Sequence, residues 1–153
     1  MENKYKCATT IKEIVTYIGD VVDVAFDYET APDDAYRSED KAALDPAKSL
    51  IVGCSFSVKE HTGIYVPIAH KIGINVDKAA FMEFLRGFLT DKTKQKIAHN
   101  LSFESMVSYH AGIVILPPVY DTIAASQMTL KSNTQFRTLG DSGLKLLAGE
   151  ICH

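Results

Sequence analysis

Apolar and polar positions follow two periods along this chain, and the switches between them set the elements. In "TTIKEIVTYIG" the apolar residues Ile11, Ile14, Val15 and Ile18 recur at helical spacing, with Thr9 or Thr10 as N-cap and Gly19 as the stop. "VVDVAFDYET", residues 21–30, reads as a buried strand whose far end turns acidic. "SLIVGCSFSVKE" and "TGIYVPIAH" read as two more strands, and the short "KEHTG" between them predicts an antiparallel hairpin. "NVDKAAFMEFLRGFLTD" is an amphipathic helix: Val76, Ala80, Phe84 and Phe88 fall on one stripe, joined by Phe81, Leu85 and Leu89. "KQKIAHN" predicts a short strand feeding the helix "LSFESMVSYHAG", which Gly112 ends. "GIVILPPVYDT" is a further extended piece, "TIAASQMTL" a helix, "SNTQFRTLG" a loop, and "DSGLKLLAGEI" the start of a last helix. Three strands followed by helices alternating with short strands predict a mixed α/β sheet with helices on its faces. Residues 31–48 are polar and punctuated by Pro32 and Pro46, which predicts a long surface loop of the kind that is often functional or mobile.

Composition narrows the class without changing this picture. The 153 residues, 46% hydrophobic and 23% charged, suit one domain with a sizeable core. A formal net charge of -3 argues against a passive coat for nucleic acid and says little against a nuclease, whose acidic site can be served by metal ions. Cys7, Cys54 and Cys152 are far apart and lack zinc-ligand spacing, so they read as reduced thiols of a cytoplasmic protein, Cys54 in the core. The first fifteen residues lack a basic-then-apolar signal sequence, and no apolar run approaches the ~20 residues of a membrane span.

The candidate chemistry is acidic. Side chains alternate along a strand, so Asp27 and Glu29 point to one side, roughly 6–7 Å apart. Two like charges at the end of a buried strand repel each other. A second unusual stretch is "IAHNLSFES", where a strand end runs into Asn100, a candidate N-cap, and a helix that carries Glu104 one turn later. Taken alone, each has a bland explanation: solvated acids at a strand end, or a glutamate favouring a helix dipole. Two carboxylates at a strand end plus a third on a following helix form a layout for divalent cations with oxygen ligands. Two such ions about 3.5–4 Å apart clamp a phosphoryl group for in-line attack. His70, His99 and His110 sit in separate segments without ligand spacing and read as surface or core histidines.

These residues resemble a known family. "FDYET" resembles the Asp-x-Glu first motif of DEDD-type 3′–5′ exonucleases, and "AHNLSFES" their second motif, an Asn followed four residues later by an acid. "VYDTIAASQMTL" resembles the Asp-Thr junction of family A, polymerase-I-type DNA polymerases. "GLKLLAGEI" looks like the helix that comes next in those enzymes, phage-encoded ones especially. The resemblance runs in order from residue 21 to about 151. It implies a ribonuclease-H-like fold with a five-stranded mixed sheet of order 3-2-1-4-5 and helices on both faces. It further implies two Mg²⁺ or Mn²⁺ ions: Asp27 bridging both, Glu29 on the first, and Glu104 on the second. Thr30, Asn100 and Phe103 match positions near the 3′-terminal nucleotide, and Asp121 matches a structural position that ties down the strand-helix junction. The implied partners are the 3′ end of single-stranded DNA and a polymerase, either as a downstream domain or as a separate chain.

Two departures qualify the match. The second-motif acid is usually Asp, and the extra methylene of Glu104 displaces its carboxylate by roughly 1.5 Å. The third motif, a Tyr or His followed by Asp four or five residues later, is missing: after Tyr120 the next Tyr or His is His153. The expectation is therefore residues 1–153 as a single exonuclease-like domain without its third-motif helix. Asp27, Glu29 and Glu104 are expected to converge in one cleft at the end of the first strand. A catalytically silent scaffold and an RNA-trimming exonuclease of the same superfamily are the competing readings.

Overall fold

The structure, a computed structural model, describes residues 4–130 together with Gly143 and Leu144. Strand β1 (Lys4–Cys7) is followed by helix α1 (Ile11–Ile18), then β2 (Asp23–Pro32), β3 (Ser49–Ser57) and β4 (Thr62–Pro67). Helix α2 (Lys78–Thr90), β5 (Gln95–Ala98), α3 (Leu101–His110), β6 (Val119–Asp121) and α4 (Thr122–Leu130) complete the order. The six strands form one sheet in the order β1-β4-β3-β2-β5-β6. β2, β3 and β4 are antiparallel neighbours, while β5 pairs parallel with β2 and β6 parallel with β5. The fold is the mixed α/β, ribonuclease-H-like one that the motifs imply.

The expected five strands in the order 3-2-1-4-5 are β2 to β6. The correction is a sixth strand, β1, added parallel to the outer side of β4 with Lys4 opposite Thr62 and Cys7 opposite Tyr65. Its four residues are all exposed and carry no apolar alternation, so only backbone pairing makes them a strand. The expected loop over 31–48 is shorter at its start, because β2 runs on through Pro32, and ends as expected where β3 begins at Ser49. Between them lie two single 3-10 turns. The expected loop at 132–140 and most of the last helix lie outside the described residues.

Local chemistry explains the helices. Thr10 and Glu13 form a reciprocal capping box at the start of α1, and Gly19 ends it at φ 51°. Asp77 caps α2 by accepting from the Ala80 N–H at 2.8 Å. Helices α1, α2 and α3 all bury residues against one face of the sheet: Ile14 and Ile18, Phe81 and Leu85, and Val107 join Val24, Phe26 and Tyr28 of β2 in one core. Phe88 meets Phe26 and Phe56 edge-on, with centroids 5.8 and 5.5 Å away. Cys54 is buried in this core as a free thiol. Lys96 is fully buried too, which is tolerable because its Nζ donates to the Asp91 and Lys94 carbonyls at 2.6 and 2.8 Å. Among the described residues no helix is long and apolar enough to cross a membrane.

With Val24, Phe26 and Tyr28 committed to the core, the two-residue period of β2 sends Ala25, Asp27 and Glu29 to the other face. That face is open over β3 and β4, where a cavity of ≈ 410 Å³ is walled by Asp27, Ser55, Tyr65, His99, Thr122 and Leu144 among others. The register of β2 against β3 slips between Glu29 and Thr30, a bulge at the point where the acidic residues end.

Candidate active site

The junctions at the C-terminal ends of β5 and β6 organise the site. Helix α3 starts at Asn100, whose backbone is left-handed at φ 66° and whose side chain makes no capping bond. The expected side-chain cap is thus corrected: Asp121 supplies it from 21 residues away. Its Oδ1 accepts from the N–H groups of Asn100 (3.1 Å) and Ile123 (2.9 Å), and its Oδ2 accepts from Leu101 (3.1 Å). One carboxylate thereby serves the orphan donors at the starts of both α3 and α4. The adjacent Thr122 hydroxyl donates to the Ala98 carbonyl at 3.3 Å and lies 2.9 Å from His99 Nδ1, which fixes the imidazole beside the cavity.

Asp27 and Glu29 share the open face and remain exposed. The Asp27 carboxyl is pushed above the usual range, first by its loss of water and then by the charge of Glu29, with His99 acting against both. Thr30 lies beyond the bulge, and its hydroxyl donates to the Ala43 carbonyl at 2.7 Å, pinning the 33–48 connection over the strand end. Phe103 is half-buried against the core.

Glu104 lies on α3, one turn before Ser108, whose hydroxyl is 2.8 Å from the Tyr28 hydroxyl on the core face. It is 2% exposed, and its Oε2 has no hydrogen-bond partner. Burial pushes its pKa up to about 7, the charges of Asp27 and Asp121 add to the rise, and a bond from its own backbone N–H opposes it. Asp27 is therefore electrostatically near Glu104, although the cavity is walled by Asp27 and by neither Glu29 nor Glu104.

The donor set suits a hard divalent cation: oxygen only, anionic, and with one buried carboxylate oxygen that nothing else satisfies. Among the described residues, no three His, Cys, Asp or Glu side chains are gathered closely enough to hold an ion as they stand. His99 and Tyr65 are the residues the motifs did not single out. His99 follows a strand directly, but its neighbour Thr122 is 23 residues away, and spacing carries no trace of that contact.

Comparison with known proteins decides the family. A family model described as 3′–5′ exonuclease, of the DNA polymerase A type, matches residues 3–153. The chain belongs to this 3′–5′ exonuclease family. It is 30% identical over 129 residues to the DNA polymerase I of Pseudomonas aeruginosa, an alignment that covers 81% of this chain and 13% of the polymerase. This 3′–5′ exonuclease chain thus spans about an eighth of such relatives. Among solved structures it is similar to Brucella melitensis NrnC with bound Mg²⁺, at TM-score 0.63 and 21% identity, covering 99% of this chain and 62% of NrnC. It is also similar to Escherichia coli RNase D, an exoribonuclease involved in structured RNA processing, at TM-score 0.58 and 19% identity, covering 96% and 33%. At these identities both likenesses show the fold.

Proposed function

We propose that this exonuclease-family chain is a proofreading-type domain of a DNA polymerase. It removes 3′-terminal nucleotides from single-stranded DNA with two Mg²⁺ or Mn²⁺ ions, in a cytoplasmic, phage-type replication system. The observation that carries this reading is Glu104, a buried carboxyl with an orphaned oxygen near Asp27, in a chain that the exonuclease model matches almost end to end. Asp27, Glu29 and Glu104 would hold the ions. When bound, such ions supply positive charge for the phosphate oxygens as an in-line displacement proceeds. Asp27 and Glu29 keep an unscreened phosphate backbone away from the metal-free site by like-charge repulsion. Glu104, whose pKa burial pushes up to about 7, would give up its proton as a cation binds. Asn100, whose side chain makes no capping bond, would lie near the terminal nucleotide together with Phe103 and Thr30. Any polymerase partner lies in the part of the relatives that this chain does not cover.

A second reading has its own support. The likeness to NrnC, solved also with bound pGG, and to RNase D favours trimming of RNA or short oligonucleotides. A third, the silent scaffold, draws on the lack of a gathered ligand trio among the described residues.

Digestion of 5′-labelled DNA and RNA oligonucleotides with Mg²⁺ or Mn²⁺ tests all three. Residues 1–153 should shorten single-stranded DNA slowly from its 3′ end, with loss of activity in Asp27→Ala and Glu29→Ala. Faster loss of RNA than DNA would select the second reading. Binding without shortening, with either cation, would select the third.

A further inference from the structure

Glu29 has a neighbour that the acidic motifs do not include. Glu29 on β2 lies directly opposite Gly53 on β3. The space that Gly53 leaves is taken by Tyr65 of β4, because a Cβ built on Gly53 would fall 1.9 Å from the Tyr65 hydroxyl oxygen. Cβ atoms of directly opposed residues stand about 4.5–5.5 Å apart, so the phenol oxygen lies roughly 3–7 Å from the Glu29 Cβ. The Glu29 carboxyl, carried two carbons further out, can span that distance with a turn of its side chain; as the structure stands, the phenol's hydrogen-bond contact is with His70. Tyr65 lies on the Asp27 side of the sheet, since both wall the same cavity.

The phenol is also held from behind. Its oxygen is 2.6 Å from His70 Nε2, and the two rings meet edge-on with centroids 5.6 Å apart. His70 is fixed in turn: its N–H donates to Asn75 Oδ1 at 2.8 Å, and Asn75 Nδ2 donates to the His70 carbonyl at 2.8 Å.

On the exonuclease reading above, the geometry points to Tyr65 as a positioning residue for Glu29: seated over Gly53 and held by His70, its phenol donates to the Glu29 carboxylate and turns it toward Asp27. The phenol has one hydrogen to give, and either His70 or Glu29 can take it; the proposed role needs it to go to Glu29. His70 carries its proton on Nε2 and donates it to the phenol oxygen, which leaves the phenol hydrogen for Glu29. The role does not depend on Tyr65 touching substrate.

Two measurements on the full chain test this. Nitrogen NMR of the metal-free protein should find His70 in the Nε2–H form, and an Nδ1–H form would overturn the inference, since the phenol would then donate to His70. The second is a double-mutant cycle read by calorimetric titration with Mn²⁺ alone, with thermal melts confirming the fold of each variant. Tyr65→Phe should weaken Mn²⁺ binding about tenfold in the native background, the scale of lost outer contacts to a metal-binding carboxylate. In the Glu29→Gln background the same change should cost less than about twofold. Equal costs in both backgrounds would make Tyr65 a purely structural residue and overturn the inference. If Asp27→Ala loses Mn²⁺ binding while Tyr65→Phe does not, the Tyr65 inference alone fails. If Asp27→Ala binds Mn²⁺ as the native protein does, the exonuclease reading fails and the role of Tyr65 falls with it.

Discussion

Asp121 ends β6 just before α4, Glu104 sits in the first turn of α3, and the surroundings of these two carboxylates could hardly differ more. Asp121 accepts from three backbone N–H groups and joins β6, α3 and α4 at one point. Glu104 is buried with one oxygen unpartnered and its pKa raised to about 7. A carboxylate that accepts three backbone bonds has little left for a ligand and contributes to the fold. An unsatisfied buried one costs stability, roughly 1–3 kcal/mol or more for a charged group, and persists where a ligand completes it. The contrast separates a residue that ties the junction together from one whose carboxyl keeps bonding capacity unused.

Asp121→Ala breaks the comparison from the structural side and should have the largest effect. It strands donors at two helix starts, and urea unfolding should show a loss of about 2 kcal/mol. Glu104→Gln should do the reverse. The folded protein keeps the Glu104 proton up to about pH 7, whereas the unfolded chain releases it near the ordinary 4.5. Between those values the native state binds more protons, so stability falls as pH rises through the window. The raised Asp27 pKa adds a slope of the same sign. Denaturant midpoints followed from pH 5 to 8 should decline for the native protein and flatten for Glu104→Gln, which should be the more stable at pH 8 by about 1 kcal/mol. Next in size, Thr122→Val frees His99 and the Ala98 carbonyl and should cost about 1 kcal/mol by the same measurement. Smallest is Asn100→Gly. The side chain caps nothing and the backbone is left-handed, so stability should stay within about 0.5 kcal/mol of native. A loss of more than 1 kcal/mol there would mean that Asp121 does not carry the junction alone.

These residues also mark how far the sequence could be read. The strand through Phe26, the β3-β4 hairpin and the Thr10 cap follow from local periodicity and side-chain type, and they stand in the structure. β1 was not legible, because "KYKC" has no apolar face and becomes a strand only by lying against β4. Asn100 has the right side chain for a cap, yet a carboxylate 21 residues later does that work. Glu104 was legible as an acid in the expected register but not as a buried one. A first-turn glutamate normally faces water, and its burial depends on how α3 sits against Tyr28. The pairing of Tyr65 with His70 over Gly53 depends on β3 and β4 lying side by side, which no linear motif records.

The account stands on Glu104 being held for a cation, and its carboxyl can be watched directly. Carbon NMR of the selectively labelled Glu104 side chain, titrated with pH, should give a pKa near 7 in metal-free protein. In saturating Mg²⁺ the same group should titrate at least about one unit lower, because the ion replaces the proton. A pKa near 7 that Mg²⁺ leaves unchanged, or an ordinary carboxylate value without any metal, would contradict the account.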